Sequence, residues 1–99
     1  MIIVYLYPAR VEVKKAADRY QKEASNLIAD RFLTEIEEAE KLIGDSPKRW
    51  PSYNGFSRKY LLENFPYIIH YIIEDSSILI AAVGHTSRRE DYWYRRVKM

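Results

Sequence analysis

The densest concentration of groups able to do chemistry is the run His85-Thr86-Ser87-Arg88-Arg89-Glu90-Asp91-Tyr92-Trp93-Tyr94-Arg95-Arg96, which follows an apolar stretch directly. Guanidinium forks bind phosphate or carboxylate in bidentate fashion, and aromatic faces stack on bases or on a guanidinium plane. The run therefore suits a nucleic acid or an acidic protein surface. The structural alternative has Tyr92 and Trp93 packing the last turn onto the core while the arginines extend outward along their stems. Trp93 is assigned to packing. His85 closes an apolar strand beside Arg88 and Arg89, and an imidazole titrates close enough to neutral pH to serve as general acid or base. His70, between Ile69 and Tyr71, reads instead as a hydrogen-bonded structural histidine. Arg58 falls in a strand on the side of Phe56, Tyr60 and Leu62, where a charge is costly unless paired or facing solvent. A salt bridge to a carboxylate of the second helix and an anion site both remain open for it.

The formal net charge of +2 over 99 residues hides a division. Ser25 to Gly44 carries Asp30, Glu35, Glu37, Glu38 and Glu40 against only Arg31 and Lys41. Basic residues gather elsewhere, as Lys48-Arg49, Arg58-Lys59, Arg88-Arg89, and Arg95, Arg96 and Lys98. Each alone is compatible with an ordinary solvated charge, but together they favour an acidic partner. Without cysteine, disulfides and thiolate zinc sites are excluded, and two histidines are too few for a metal site without carboxylate help. No metal and no cofactor is expected. The longest apolar stretches, Met1 to Leu6 and Ile78 to Val83, fall far short of the ~20 residues of a membrane-spanning helix, so the expectation is a cytoplasmic protein without a membrane partner.

The elements that must position these groups follow from periodicity. Ile2 to Tyr7 is β-branched and aromatic and stops at Pro8, which suits a first helical turn. From Pro8 to about Ala24, Val13, Ala16 or Ala17, Tyr20 and Ala24 recur at helical spacing. Ser25 and Asn26 interrupt the pattern, and Ile28, Phe32, Ile36, Ala39 and Ile43 resume it until Gly44, a plausible left-handed cap. So short a link makes the helices an antiparallel hairpin. Asp45 to Gly55 is a long loop. Phe56 to Leu62, Tyr67 to Ile73 and Ile78 to Val83 read as strands, separated by turns at Asn64-Phe65-Pro66 and Glu74-Asp75-Ser76-Ser77. Val97 to Met99 should fray. The fold class is α+β, in the order β-α-α-β-β-β, with a helical hairpin on one face of a mainly antiparallel four-stranded sheet, and residues 1–99 form one domain.

The string Pro47-x-x-Trp50-Pro51, Arg58-x-x-Leu61-Leu62-x-x-Phe65-Pro66-Tyr67-x-Ile69-x-Tyr71, Ile80-Ala81-Ala82-Val83-x-His85-x-x-Arg88-Arg89-x-x-Tyr92-Trp93-x-x-Arg96 resembles the RelE/ParE toxin family over roughly half the chain. The first 46 residues share only its pattern of strand and helix hairpin. The resemblance implies the toxin of a type II toxin–antitoxin pair, associated with plasmid stabilisation and growth inhibition, and a cognate antitoxin that masks it. It also implies one of two targets. A ParE-like toxin poisons DNA gyrase as a binding protein, with Arg58, Lys59, Arg88, Arg89, Tyr92, Arg95 and Arg96 meeting target or antitoxin. A RelE-like toxin cleaves ribosome-bound mRNA, with Arg58 and Arg88 or Arg89 stabilising phosphate charge and His85 or Tyr92 moving protons. The chain has only Lys59 beside Arg58 where RelE carries a lysine-rich strand cluster, and its Tyr92-Trp93 ending looks more like the ParE branch. Glu90 stands where many relatives have proline. The resemblance thus leans to gyrase poisoning, with mRNA cleavage and an inactive interaction module as alternatives.

Overall fold

The computed structural model describes residues 1–97. Strand β1 (Ile2–Tyr5) leads into α1 (Tyr7–Glu23) and α2 (Asn26–Asp45), and then come β2 (Arg58–Leu61), β3 (Tyr67–Ile73) and β4 (Ser77–His85). The sheet runs β1-β4-β3-β2, with β1 parallel to β4 and the other pairs antiparallel. This is the expected order and class.

Several boundaries differ from expectation for local reasons. β1 ends at Tyr5, because Pro8, which needs no N–H donor, sits within the first helical turn and the helix starts ahead of it at Tyr7. Ser25 caps α2, its Oγ accepting from the Ile28 amide at 3.1 Å. Gly44 is not a left-handed cap. It lies inside α2, where an added Cβ would come within 3.4 Å of the Met1 carbonyl oxygen, so what it supplies is close approach to β1. Among the described residues the one glycine at positive φ is Gly55, at 87°. Phe56 and Ser57 fall outside β2, since the Asn54 carboxamide oxygen accepts from both of their amides and holds them in a turn. Val97 does not fray but packs with Trp93, while Lys98 and Met99 lie outside the described residues.

The helices cover one face of the sheet. Phe32, Ile36, Ala39 and Ile43 of α2 and Ala9, Ala16 and Ala17 of α1 pack on Tyr60, Ile69, Tyr71, Ile78, Ile80 and Val83. Tyr20, Phe32, Phe65 and Tyr67 fill one end, with ring centroids 5.1–6.3 Å apart. A register shift between His70 and Tyr71 pairs them with Ala82 and Ile80, so Ala81 is skipped. That bulge lets Val83 share the helix-facing side with Ile78 and Ile80. The opposite face carries a second, smaller core in which Ala81, Ala82 and the fully buried Trp93 pack with Leu6, Ile72, Tyr92, Tyr94 and Val97. The chain beyond β4 is therefore a third layer, which an amphipathic reading of strands and helices does not reveal.

Candidate functional site

The site grows from an unfinished sheet edge. β1 follows β4 only as far as the bond from the Leu6 amide to the Ile80 carbonyl at 3.0 Å, after which α1 turns away. The next edge groups of β4, the Ala81 carbonyl and the Val83 amide, are left without a strand partner, and buried backbone groups need one. Two side chains substitute for it. Glu12 of α1 accepts from the Val83 amide at 2.9 Å, and Arg96 donates to the Ala81 carbonyl at 3.1 Å. The same two residues form a bidentate ion pair at 2.9 and 2.8 Å.

Tyr92 completes the cluster. Its hydroxyl donates to Glu12 at 2.8 Å, and the guanidinium groups of Arg88 and Arg96 lie over its ring, 3.8 and 5.2 Å from the centroid. Gly84 makes room for it, since a Cβ there would stand 2.4 Å from the Tyr92 hydroxyl. Burial alone would raise the pKa of Glu12, but hydrogen bonds from Arg96, the Val83 amide and Tyr92 hold it below the usual carboxylate range. Tyr92 is pushed up, first by burial and then by its bond to Glu12. The Glu12 hydrogen bond is the main reason Arg96 is raised.

The residues expected from sequence divide into groups. Arg88, Tyr92 and Arg96 meet at Glu12, with His85 beside them. Arg58 does not join them. It faces the helix side with Tyr60, whereas Phe56, expected on that side, packs against Trp93 and Tyr94 on the other, and among the described residues the Arg58 guanidinium pairs with no helix carboxylate. It donates to the carbonyls of Trp50, at 2.6 Å, and Lys48, at 3.4 Å, and so fastens the loop before β2. The helix carboxylate Glu35 instead accepts from the amides of Glu63 and Asn64. Arg58 pairs with Tyr71 and His85 with Tyr67, which separates them by four residues of β3, about 13 Å along the strand. Lys59 lies on the other face, bonded to Glu90 and over the Tyr53 ring. Arg89, 85% exposed, pairs with Asp91 at 3.3 Å, and Arg95 is exposed beside Phe56 and Ile72.

The His85 Nδ1 accepts from the Ser87 amide at 3.0 Å and lies 2.8 Å from the Ser87 hydroxyl. This fixes the proton of the neutral ring on Nε2. His70 is buried in β3 against Trp93, whose ring centroid is 5.3 Å away, and burial pushes its pKa down to about 4. Glu12 was not legible as a site residue. Its partners lie 71 to 84 positions away, and nothing in the local spacing marks it.

Residues 3–90 match the family described as ParE toxin of type II toxin-antitoxin system, parDE. The chain belongs to this family. A chain from the solved structure of the chromosomal ParDE TA system from P. aeruginosa is similar in fold, with a TM-score of 0.76 at 18% identity, over 86% of the present chain and 95% of that one. No curated protein matches significantly. In this ParE-family toxin the match ends at Glu90, so Tyr92 and Arg96, half of the cluster around Glu12, lie beyond it. No helix among the described residues is long and apolar enough to cross a membrane, and none of their carboxylate and histidine side chains form a group able to hold a metal ion.

Proposed function

We propose that this toxin acts by binding, as a poison of DNA gyrase, and that a cognate antitoxin masks the same face. The observation that carries the reading is that both candidate bases, the Tyr92 hydroxyl and the His85 Nδ1, are already engaged in hydrogen bonds. The Tyr92 hydroxyl donates to Glu12 and its proton is held more tightly than that of a free tyrosine. The His85 Nδ1 accepts from the Ser87 amide, which leaves Nε2 as the donor of the ring. Arg58 is engaged by two carbonyls away from both. What stays available is Arg88, Arg89 and Arg95 on an exposed segment clamped rigidly to the sheet, an arrangement suited to recognition. Arg88 lies 3.7 Å from Glu12, beyond an ordinary hydrogen bond.

The deciding experiment incubates the purified toxin with gyrase and supercoiled plasmid, and in parallel with translating ribosomes. The expected result is protein-linked linear plasmid and intact message, both unchanged in Tyr92→Phe, which keeps the ring under Arg88. Codon-linked message cleavage that disappears in Tyr92→Phe would replace this reading with the ribosome-dependent one. Growth arrest on expression, relieved by the antitoxin, tests the toxin–antitoxin pairing itself.

A further inference from the structure

Beside the Glu12 cluster, between α1 and the end of β4, lies a cleft of about 370 Å³ lined by Lys15, Arg19, His85, Ser87 and Arg88, with Glu12 at its base. We propose that this cleft binds the sugar-phosphate backbone of a nucleic acid. The site goes beyond the gyrase reading, because it requires no enzyme partner and uses two residues of α1, Lys15 and Arg19, that the tail-centred reading does not include.

The charge balance of the cleft is one-sided. Its single carboxylate, Glu12, is already saturated by the Val83 amide, Tyr92 and both arms of Arg96. Among the described residues Lys15 and Arg19 form no ion pair, in contrast to Lys14, which is bonded to Asp18. Arg88 stacks on Tyr92 and keeps half of its side chain exposed. The neutral His85 ring carries its proton on Nε2, since Nδ1 accepts from the Ser87 amide, so it too offers a donor. Lys15 and Arg19, which form no ion pair, Arg88, whose contact with Glu12 is long at 3.7 Å, and an imidazole N–H form an acceptor-poor, donor-rich site, the complement of a phosphate.

The shape favours a chain of phosphates over a single anion. Lys15, Arg19 and Lys22 recur at spacings of four and three on one face of α1, and all three are exposed. The stripe they form spans about 10 Å of helix. Duplex DNA presents one phosphate per strand for each ~3.4 Å of its axis, so the stripe and Arg88 together can contact three or four. Most acidic residues of the hairpin lie on α2, which packs beside α1.

The test measures anisotropy of a short labelled duplex DNA, a labelled single-stranded RNA and a labelled acidic peptide of glutamates, each titrated with the whole protein at about 50 and 200 mM salt. The expected result is nucleic-acid binding that weakens on the order of 50-fold across that range, as three or so phosphate contacts require. Lys15→Gln/Arg19→Gln should weaken it about tenfold or more at the lower salt and reduce the logarithmic salt slope by roughly two. Both side chains are exposed and glutamine keeps the helix, so circular dichroism should show an intact fold. Arg31→Gln/Lys41→Gln, which removes the same charge from α2, should leave the affinity within about twofold. Relative affinity for DNA and RNA then identifies the source of the backbone, and either preference upholds the site. Tighter binding of the acidic peptide, saturable binding of inorganic phosphate without nucleic-acid binding, or an unchanged affinity in Lys15→Gln/Arg19→Gln would each overturn it. None of these outcomes bears on plasmid linearisation by gyrase, which tests the other reading separately.

Discussion

Glu12 is the residue on which the segment after β4 depends, and its energetics can be read from its partners. It accepts four hydrogen bonds while only 14% of its side chain is exposed, and a charge-assisted bond contributes more than a neutral one. Glu12→Gln keeps the shape but removes the charge and one acceptor. The expected loss is about 2 kcal/mol in urea unfolding at neutral pH. Because the folded-state pKa of Glu12 is depressed below 4.5, the advantage of the parent protein is complete above that value and fades as pH falls through the folded-state pKa. Parent and variant stabilities should therefore converge in acid, and a constant gap would contradict the account. Gly84→Ala tests the same cluster from the other side, because the new methyl cannot coexist with the Tyr92 ring where it lies. A destabilisation of about 1–3 kcal/mol is expected, with a change in tyrosine near-ultraviolet dichroism.

Two features at the level of elements decide how the residues meet. β1 is shorter than β4, so a length of sheet edge is left over, and the ion pair of α1 with the tail fills it. The tail is held from both ends, by Arg96 at that edge and by Trp93 in the second core. Trp93 is fully buried against Ala81 and Ala82 and packs on His70, Phe56 and Tyr94. Trp93→Ala should cost about 3–5 kcal/mol, as truncation of a buried aromatic does, and should expose the tail to limited proteolysis before the rest of the chain. His70 shares this layer, and burial lowers its pKa from 6.5 to about 4. The unfolded chain then binds a proton more readily than the folded one between those values. Stability should fall as pH drops from 6.5 towards 4, by at most about 1.4 kcal/mol per pH unit, and His70→Phe should remove that slope.

Over the whole molecule the charges separate into a paired set that builds structure and a free set that faces outward. Arg58, Lys59 and Arg96 belong to the first and Lys15 and Arg19 to the second, while Arg88 stands between them, 3.7 Å from Glu12 with half of its side chain exposed. The exposed Arg89 meets only Asp91. The recognition reading therefore predicts that Arg89→Glu/Arg95→Glu abolishes plasmid linearisation by gyrase while the thermal midpoint stays within about 2 °C of the parent, as surface substitutions usually do. Arg58→Ala should behave in the opposite way, lowering the midpoint through the loop it fastens. Loss of activity in the stable arginine variant is the outcome that connects the exposed set to the target.

The sequence by itself determined the order of elements and the helical hairpin, because each rests on a periodicity within a dozen residues, and the apolar stripes of Phe32, Ile36 and Ile43 lie where that periodicity puts them. The assignment of His70 to the interior was legible for the same reason, since it stands between Ile69 and Tyr71, and Trp93 packs as expected although Asp91 and Arg95 stand close by in the chain. Only the tertiary structure decided which cations are free. Arg58 and Arg96 look like Arg88 in composition, but a carbonyl pair and a distant glutamate consume the first two. The parallel pairing of β1 with β4, the early end of β1 and the return of the tail across the opposite face bring Glu12 to partners more than 70 positions away, and no local spacing encodes an ion pair formed by such a crossing.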